Sequence, residues 1–126
     1  MNKHSFEKLK INFHSKSIHG TFCVLNFIDN GHHIAYMPSL NLTGYGDNVQ
    51  EAHDLLLNSV VKDFFHGLFT LTESEINKEL KNLGWSKSTF FKKDFSKSAY
   101  VDKEGVLRDF NLPAETKIES ELLAVA

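Results

Sequence analysis

Leu9, Ile11 and Phe13 alternate with Lys10, Asn12 and His14, the period of a half-buried strand. The polar stretch before them, Met1 to Lys8, is expected to fray. Thr21 to Ile28 is almost wholly apolar and rich in β-formers, with apolar residues on both faces, so it is expected to be a central, covered strand. Asp29-Asn30-Gly31 marks a hairpin, because Asn-Gly tolerates the positive φ values of a type I′ turn. His32 to Met37 returns antiparallel, and Pro38, which has no N–H, ends regular pairing. Leu42 to Tyr45 adds a short strand, and Gly44 and Gly46 around Tyr45 point to a tight bend.

The period then changes. Val49, Ala52, Leu56, Val60 and Phe64 fall at helical spacing, and Leu57, Val61, Phe65 and Leu68 widen that stripe. Asn48 is placed to cap this helix with Glu51 three residues on, and Gly67 is expected to end it. Thr72-Glu73-Ser74-Glu75 is a second capping box, opening a short helix with Ile76, Leu80 and Leu83 on one face and Gly84 at its end. Trp85 to Lys93 reads as a strand, with Trp85 and Phe91 on one face and Phe90 on the other. Tyr100 to Leu107 reads as two short apolar pieces around a polar turn, and Leu112-Pro113 breaks regularity. Ile118 to Val125 fits helix or strand equally. No internal repeat or low-complexity tract interrupts this order. The expectation is a single α+β domain over 1–126: an antiparallel sheet of three to four strands packed by one long helix, with a smaller helix–strand unit, 71–126, appended to a 20–70 core.

The run Ile34-Ala35-Tyr36-Met37-Pro38-Ser39-Leu40, followed by Gly44-Tyr45-Gly46-Asp47-Asn48-Val49-Gln50-Glu51-Ala52, resembles the HicB-like antitoxin family. The shared pattern is a strand ending in Tyr-x-Pro-x-Leu and then Gly-Asp-Thr-x-x-Glu-Ala opening a helix. The likeness covers roughly residues 20–66. Asn48 replaces the family's usual Thr, and Asn41-Leu42 stands where a Pro-Gly turn is frequent. The resemblance implies a partial ribonuclease-H-like fold and a non-catalytic antitoxin role. It also implies homo-oligomers and a small basic partner, a HicA-type mRNA-interferase toxin.

Charge sharpens that picture. The net charge is −2, but residues 1–19 carry +3, 27–79 carry −6, 81–103 carry +4 and 104–126 carry −3. An acidic middle suits a basic partner, because RNA-cleaving proteins carry cationic surfaces for phosphate. Tyr45, Asp47, Glu51 and Asp54 are the candidate partner-binding residues. One cysteine, Cys23, leaves no internal disulfide, and its apolar strand points to a buried thiol. No apolar run reaches the ~20 residues needed to span a bilayer, and the first ten residues lack a signal-peptide core. A cytoplasmic protein with no membrane partner is expected.

Catalytic patterns are thin. A ribonuclease-H site needs carboxylates converging on metal ions from a central strand, and Thr21 to Ile28 has none. His32 and His33 are adjacent and would face opposite sides of a strand. No Cys-x-x-Cys or His-x-x-x-His pair completes a zinc site. Lys78-Glu79-Leu80-Lys81-Asn82-Leu83-Gly84-Trp85 looks like the opening of a HicA-type interferase. The Gly-Ser-His-His run that family needs is replaced by Thr89-Phe90-Phe91-Lys92-Lys93. No enzyme, metal or cofactor is expected.

DNA binding in the family uses a C-terminal module. Arg108 to Glu115 faintly resembles a ribbon strand entering a helix, with no room for a second helix before Ala126. The alternative function is single-stranded nucleic-acid binding by the Lys/aromatic stretch 85–97. Trp85, Lys87, Phe90, Lys92, Lys93 and Lys97 are its candidate contacts.

Overall fold

The computed structural model describes residues 6–91, 93–98 and 103–125. Its strands are β1 Phe6–Asn12, β2 Ser17–Asp29, β3 His32–Met37, β4 Leu42–Gly46, β5 Ser86–Lys87, β6 Asp94–Ser98 and β7 Glu119–Val125. Its helices are α1 (49–68), α2 Glu73–Asn82 and α3 Lys103–Asp109. The class is α+β, with a seven-stranded antiparallel sheet and α1, 20 residues long, packed on it. The sheet is larger than the three to four strands expected, because β5, β6 and β7, from the stretch expected to be an appendage, join the same sheet.

The sheet is organised around β2. Gly20 and Thr21 pair at once with Leu9 and Lys8 of β1 and with Val125 and Ala124 of β7. Leu25 and Asn26 pair at once with Tyr36 and Ala35 of β3 and with Ser120 and Glu119 of β7. A strand has only two edges, so β7 lines one of them while β1 and β3 follow one another along the other. The β2–β3 turn is Asn30-Gly31 with both φ positive, 51° and 80°, as the type I′ reading requires.

Both faces of β2 are covered, as its continuous apolar run predicts. Phe22 and Val24 face a core completed by α1 and α2 through Ala52, Leu56, Val61, Phe65, Ile76 and Leu80. Cys23, Leu25 and Phe27 face a smaller core with Val106 of α3 and Ile118. Helix α1 contains a π turn at Leu56–Val60. Its buried positions therefore run Ala52, Leu56, Val61, Phe65 and Leu68, one step of five replacing a step of four. The turn rotates Val61 and Phe65 into the core in place of Val60 and Phe64, which are only partly buried. Gly67 does not end the helix, which runs to Leu68.

Five other expectations need correction. Phe6 to Lys8 are strand residues rather than a frayed end; Met1 to Ser5 lie outside the described residues. Gly44 and Gly46 are not a bend. They are β4 positions on which the α1 backbone sits: a Cβ on Gly44 would lie 2.5 Å from the Ala52 carbonyl oxygen. The expected strand from Trp85 to Lys93 shrinks to Ser86–Lys87. Gly84 (φ 97°) and Trp85 close α2, their N–H groups bonding the Lys81 and Leu80 carbonyls as a Schellman motif. Lys103 to Leu107 belongs to a helix, not to a polar turn and a short apolar piece, and Tyr100 to Asp102 lie outside the described residues. Arg108 and Asp109 end that helix, and the ribbon-like reading of 108–115 fails with them. The undecided stretch 118–125 supplies β7.

Candidate binding surfaces

The acidic candidates gather at the start of α1. Asn48 caps the helix, its Oδ1 accepting the Glu51 N–H at 2.9 Å. Glu51 reaches one residue further back than a capping box would, and its Oε1 accepts the Asp47 N–H at 3.0 Å. Asp54 Oδ1 accepts a hydrogen bond from Gln50 Nε2 at 2.8 Å. Asp47, Glu51 and Asp54 are all exposed. Glu51 therefore spends part of its carboxylate on the helix start, whereas the Asp47 side chain accepts no hydrogen bond among the described residues. Tyr45 is 62% exposed. Successive strand residues point to opposite faces, so Tyr45 stands away from α1, on which Gly44 and Gly46 close. The three carboxylates lie at the helix cap and within its first two turns, and Tyr45 points away from α1.

The 85–97 candidates are dispersed. Trp85 is 3% exposed, and its indole N–H donates to the Ser39 carbonyl at 3.1 Å, so no ring face is open to a base. Phe90 and Phe91 are 87% and 67% exposed. They ride a turn held by Ser88, whose Oγ accepts both of their N–H groups at 3.2 and 3.1 Å. Lys87 and Lys93 are exposed. Lys97 is half-buried, lies against Gly84 and acts electrostatically on Glu7. Lys92 lies outside the described residues.

A third cluster was missed from the sequence. Glu7 is 3% exposed, and its Oε2 accepts the Cys23 N–H at 2.9 Å and the Ser39 Oγ–H at 2.6 Å. The signal was present in the alternation, since Glu7 shares the inward register of Leu9 and Ile11. Burial pushes the Glu7 carboxyl above its usual range, against the hydrogen bonds from Ser39 and Cys23 and the charge of Lys97. Burial, and then Glu7, push the Cys23 thiol up to about 11, which keeps it protonated and unreactive at neutral pH. Ser39 is 1% exposed, so this Ser–Glu pair has no opening for a substrate and reads as structural.

Histidine supplies a fourth contact. His53 Nε2 lies 2.7 Å from Asn26 Oδ1, and Asn26 Nδ2 donates to Glu121 Oε2 at 2.6 Å, tying α1 across β2 to β7. Among the described residues no group of three or more His, Cys, Asp or Glu is placed to hold a metal ion. Among them, too, no helix is long and apolar enough to cross a membrane. No protein-family model, no curated protein and no solved structure matches the chain. The HicB-like likeness therefore rests on the residues of 34–52 alone.

Proposed function

We propose that the chain is a non-catalytic binding protein of the antitoxin type, which acts by covering the cationic surface of a small basic protein. The observation that carries this reading is the exposure of Asp47, Glu51 and Asp54 together at the start of α1. The HicB-like pattern of 34–52 and the −6 charge of 27–79 support it. Charge of one sign on one face speeds encounter with the opposite sign and suppresses wrong partners. Self-association belongs to the same reading, and the second edge of β7 has no strand partner among the described residues. The test is capture from native lysate by the tagged chain, with and without nuclease. A small basic protein retained after nuclease supports the reading, and a bait that keeps no protein counts against it.

A second reading, single-stranded nucleic-acid binding, is favoured by one observation. Two phenylalanines, Phe90 and Phe91, stand in water on a turn flanked by Lys87 and Lys93. Exposed rings that can stack on bases, with cations beside them for phosphate, are the parts of a sequence-tolerant single-strand surface.

A further inference from the structure

The sheet registers bring together a surface that no continuous stretch of sequence contains. Lys8 of β1 sits between Thr21 of β2 and Ser96 of β6. Lys10 sits between His19 and Asp94. These residues alternate with Leu9 and Ile11, which face the main core, so they share the opposite face of the sheet. On that face α3 covers the other half of β2, at Cys23, Leu25 and Phe27. Lys8, Lys10 and His19 are exposed. They line a groove of about 470 Å³ together with Ser88, Asp94 and Ser96.

Two features give this groove a direction. Lys10 Nζ stands 3.9 Å from Asp94 Oδ1, too far for a hydrogen bond, and Lys8 makes no ion pair among the described residues. Both ammonium groups keep hydrogen-bonding capacity for an incoming anion. Ser88, at the groove wall, is also the residue whose Oγ holds the Phe90–Phe91 turn. The backbone of the turn that carries the two exposed rings therefore adjoins the groove wall at Ser88 and at Asp94, whose N–H donates to the Phe91 carbonyl at 3.0 Å.

We propose that this groove and the aromatic turn adjoining it bind single-stranded nucleic acid, with Lys8, Lys10 and His19 on phosphates and Phe90 and Phe91 against bases. The proposal rests on the second reading above and supplies the half of the surface that the 85–97 stretch lacks. Cations that follow a backbone, joined to rings that stack on any base, are the two parts of sequence-tolerant single-strand binding. A duplex hides its base faces and leaves the rings nothing to stack on. A bilayer would take the rings. Its anionic headgroups would also draw the lysines, and the vesicle arm of the experiment separates that source of phosphate from a nucleic acid.

The experiment is fluorescence anisotropy of the full chain with a short labelled oligouridine and with a duplex of similar length, over a range of salt. Wild type should prefer the single strand and weaken steeply with salt. The Lys8→Ala/Lys10→Ala variant should bind more weakly, with a log–log salt slope shallower by about 1.4, the value for two lost single-strand phosphate contacts. The Phe90→Ala/Phe91→Ala variant should lose about tenfold or more without a change of slope. Loss in the phenylalanine variant with the lysine variant unchanged overturns the sheet-face site while leaving the second reading in place. No single-strand binding by wild type at low salt overturns both. Binding to phosphatidylserine vesicles without binding to the oligonucleotide overturns them in favour of a membrane surface.

Discussion

Glu7 Oε2 accepts the backbone N–H of Cys23 at 2.9 Å, at the point where the edge of β2 passes from β1 to β3. Pairing with β1 stops at Thr21 and pairing with β3 begins at Leu25. A buried donor between them would otherwise lie unsatisfied. The same oxygen takes the Ser39 hydroxyl, and Ser39 in turn accepts the Trp85 indole N–H through its carbonyl. One carboxylate thus joins β1, β2 and the β3–β4 loop, and Trp85 adds the end of α2.

Removing that carboxylate should cost stability. Glu7→Ala leaves the Cys23 N–H and the Ser39 hydroxyl buried without their acceptor, a loss of about 1–3 kcal/mol for each. Glu7→Gln keeps an acceptor oxygen and should lose less at neutral pH. Trp85 is the single tryptophan and is buried in contact with this cluster. Urea unfolding followed by its fluorescence measures both variants.

The same residue should leave a mark on the pH dependence. Burial raises the Glu7 carboxyl above its usual 4.5. A raised acid is held more tightly protonated in the folded chain than in the unfolded one. Its contribution to stability is complete below about 4.5 and is lost as pH rises through the folded-state value. The stability difference between wild type and Glu7→Gln should therefore favour wild type most at the acidic end and shrink as pH rises. Urea melts at a series of pH values check this, and a difference that grows in favour of wild type with rising pH contradicts it.

Two glycines, one under α1 and one in its last turn, should respond oppositely to alanine. A Cβ on Gly44 would lie 2.5 Å from the Ala52 carbonyl oxygen and 2.7 Å from the Leu56 nitrogen, both helix backbone. The helix must shift to admit it, and Gly44→Ala should cost about 1–3 kcal/mol, as overpacked cores do. Gly67 lies inside α1 with nothing within 4 Å of an added Cβ. Gly67→Ala should stabilise by about 0.5–1 kcal/mol through helix propensity. Thermal melts of the pair give the two signs directly.

What the sequence showed was local. Asn30-Gly31, the Asn48 cap and the Thr72–Glu75 capping box are written in neighbouring residues, and each forms as read. The double-sided burial of β2 was legible because its apolar run has no polar alternation. What escaped is non-local. β7 pairs with β2 across most of the chain, and nothing in 118–125 distinguishes an edge strand from a helix until that pairing exists. The π turn escaped because two overlapping apolar stripes in α1 gave no reason to prefer the second after Leu56. Glu7 escaped because a lone acid in a polar N-terminal stretch reads as surface. The candidate surfaces divide in the same way. Asp47, Glu51 and Asp54 are one helix start and were visible as such. Lys8, Lys10 and His19 become neighbours of Asp94 and Ser96 only through the registers of β1.

The central claim is that the carboxylates at the start of α1 hold a basic protein. Asp47→Lys/Asp54→Lys tests it while leaving the Glu51 capping contact in place. Nuclease-treated native lysate passed over wild-type and variant baits, with retained proteins identified by mass spectrometry, is the direct measurement. The account predicts a small basic protein held by wild type and absent from the variant. The same proteins on both baits, or none on either, would contradict it.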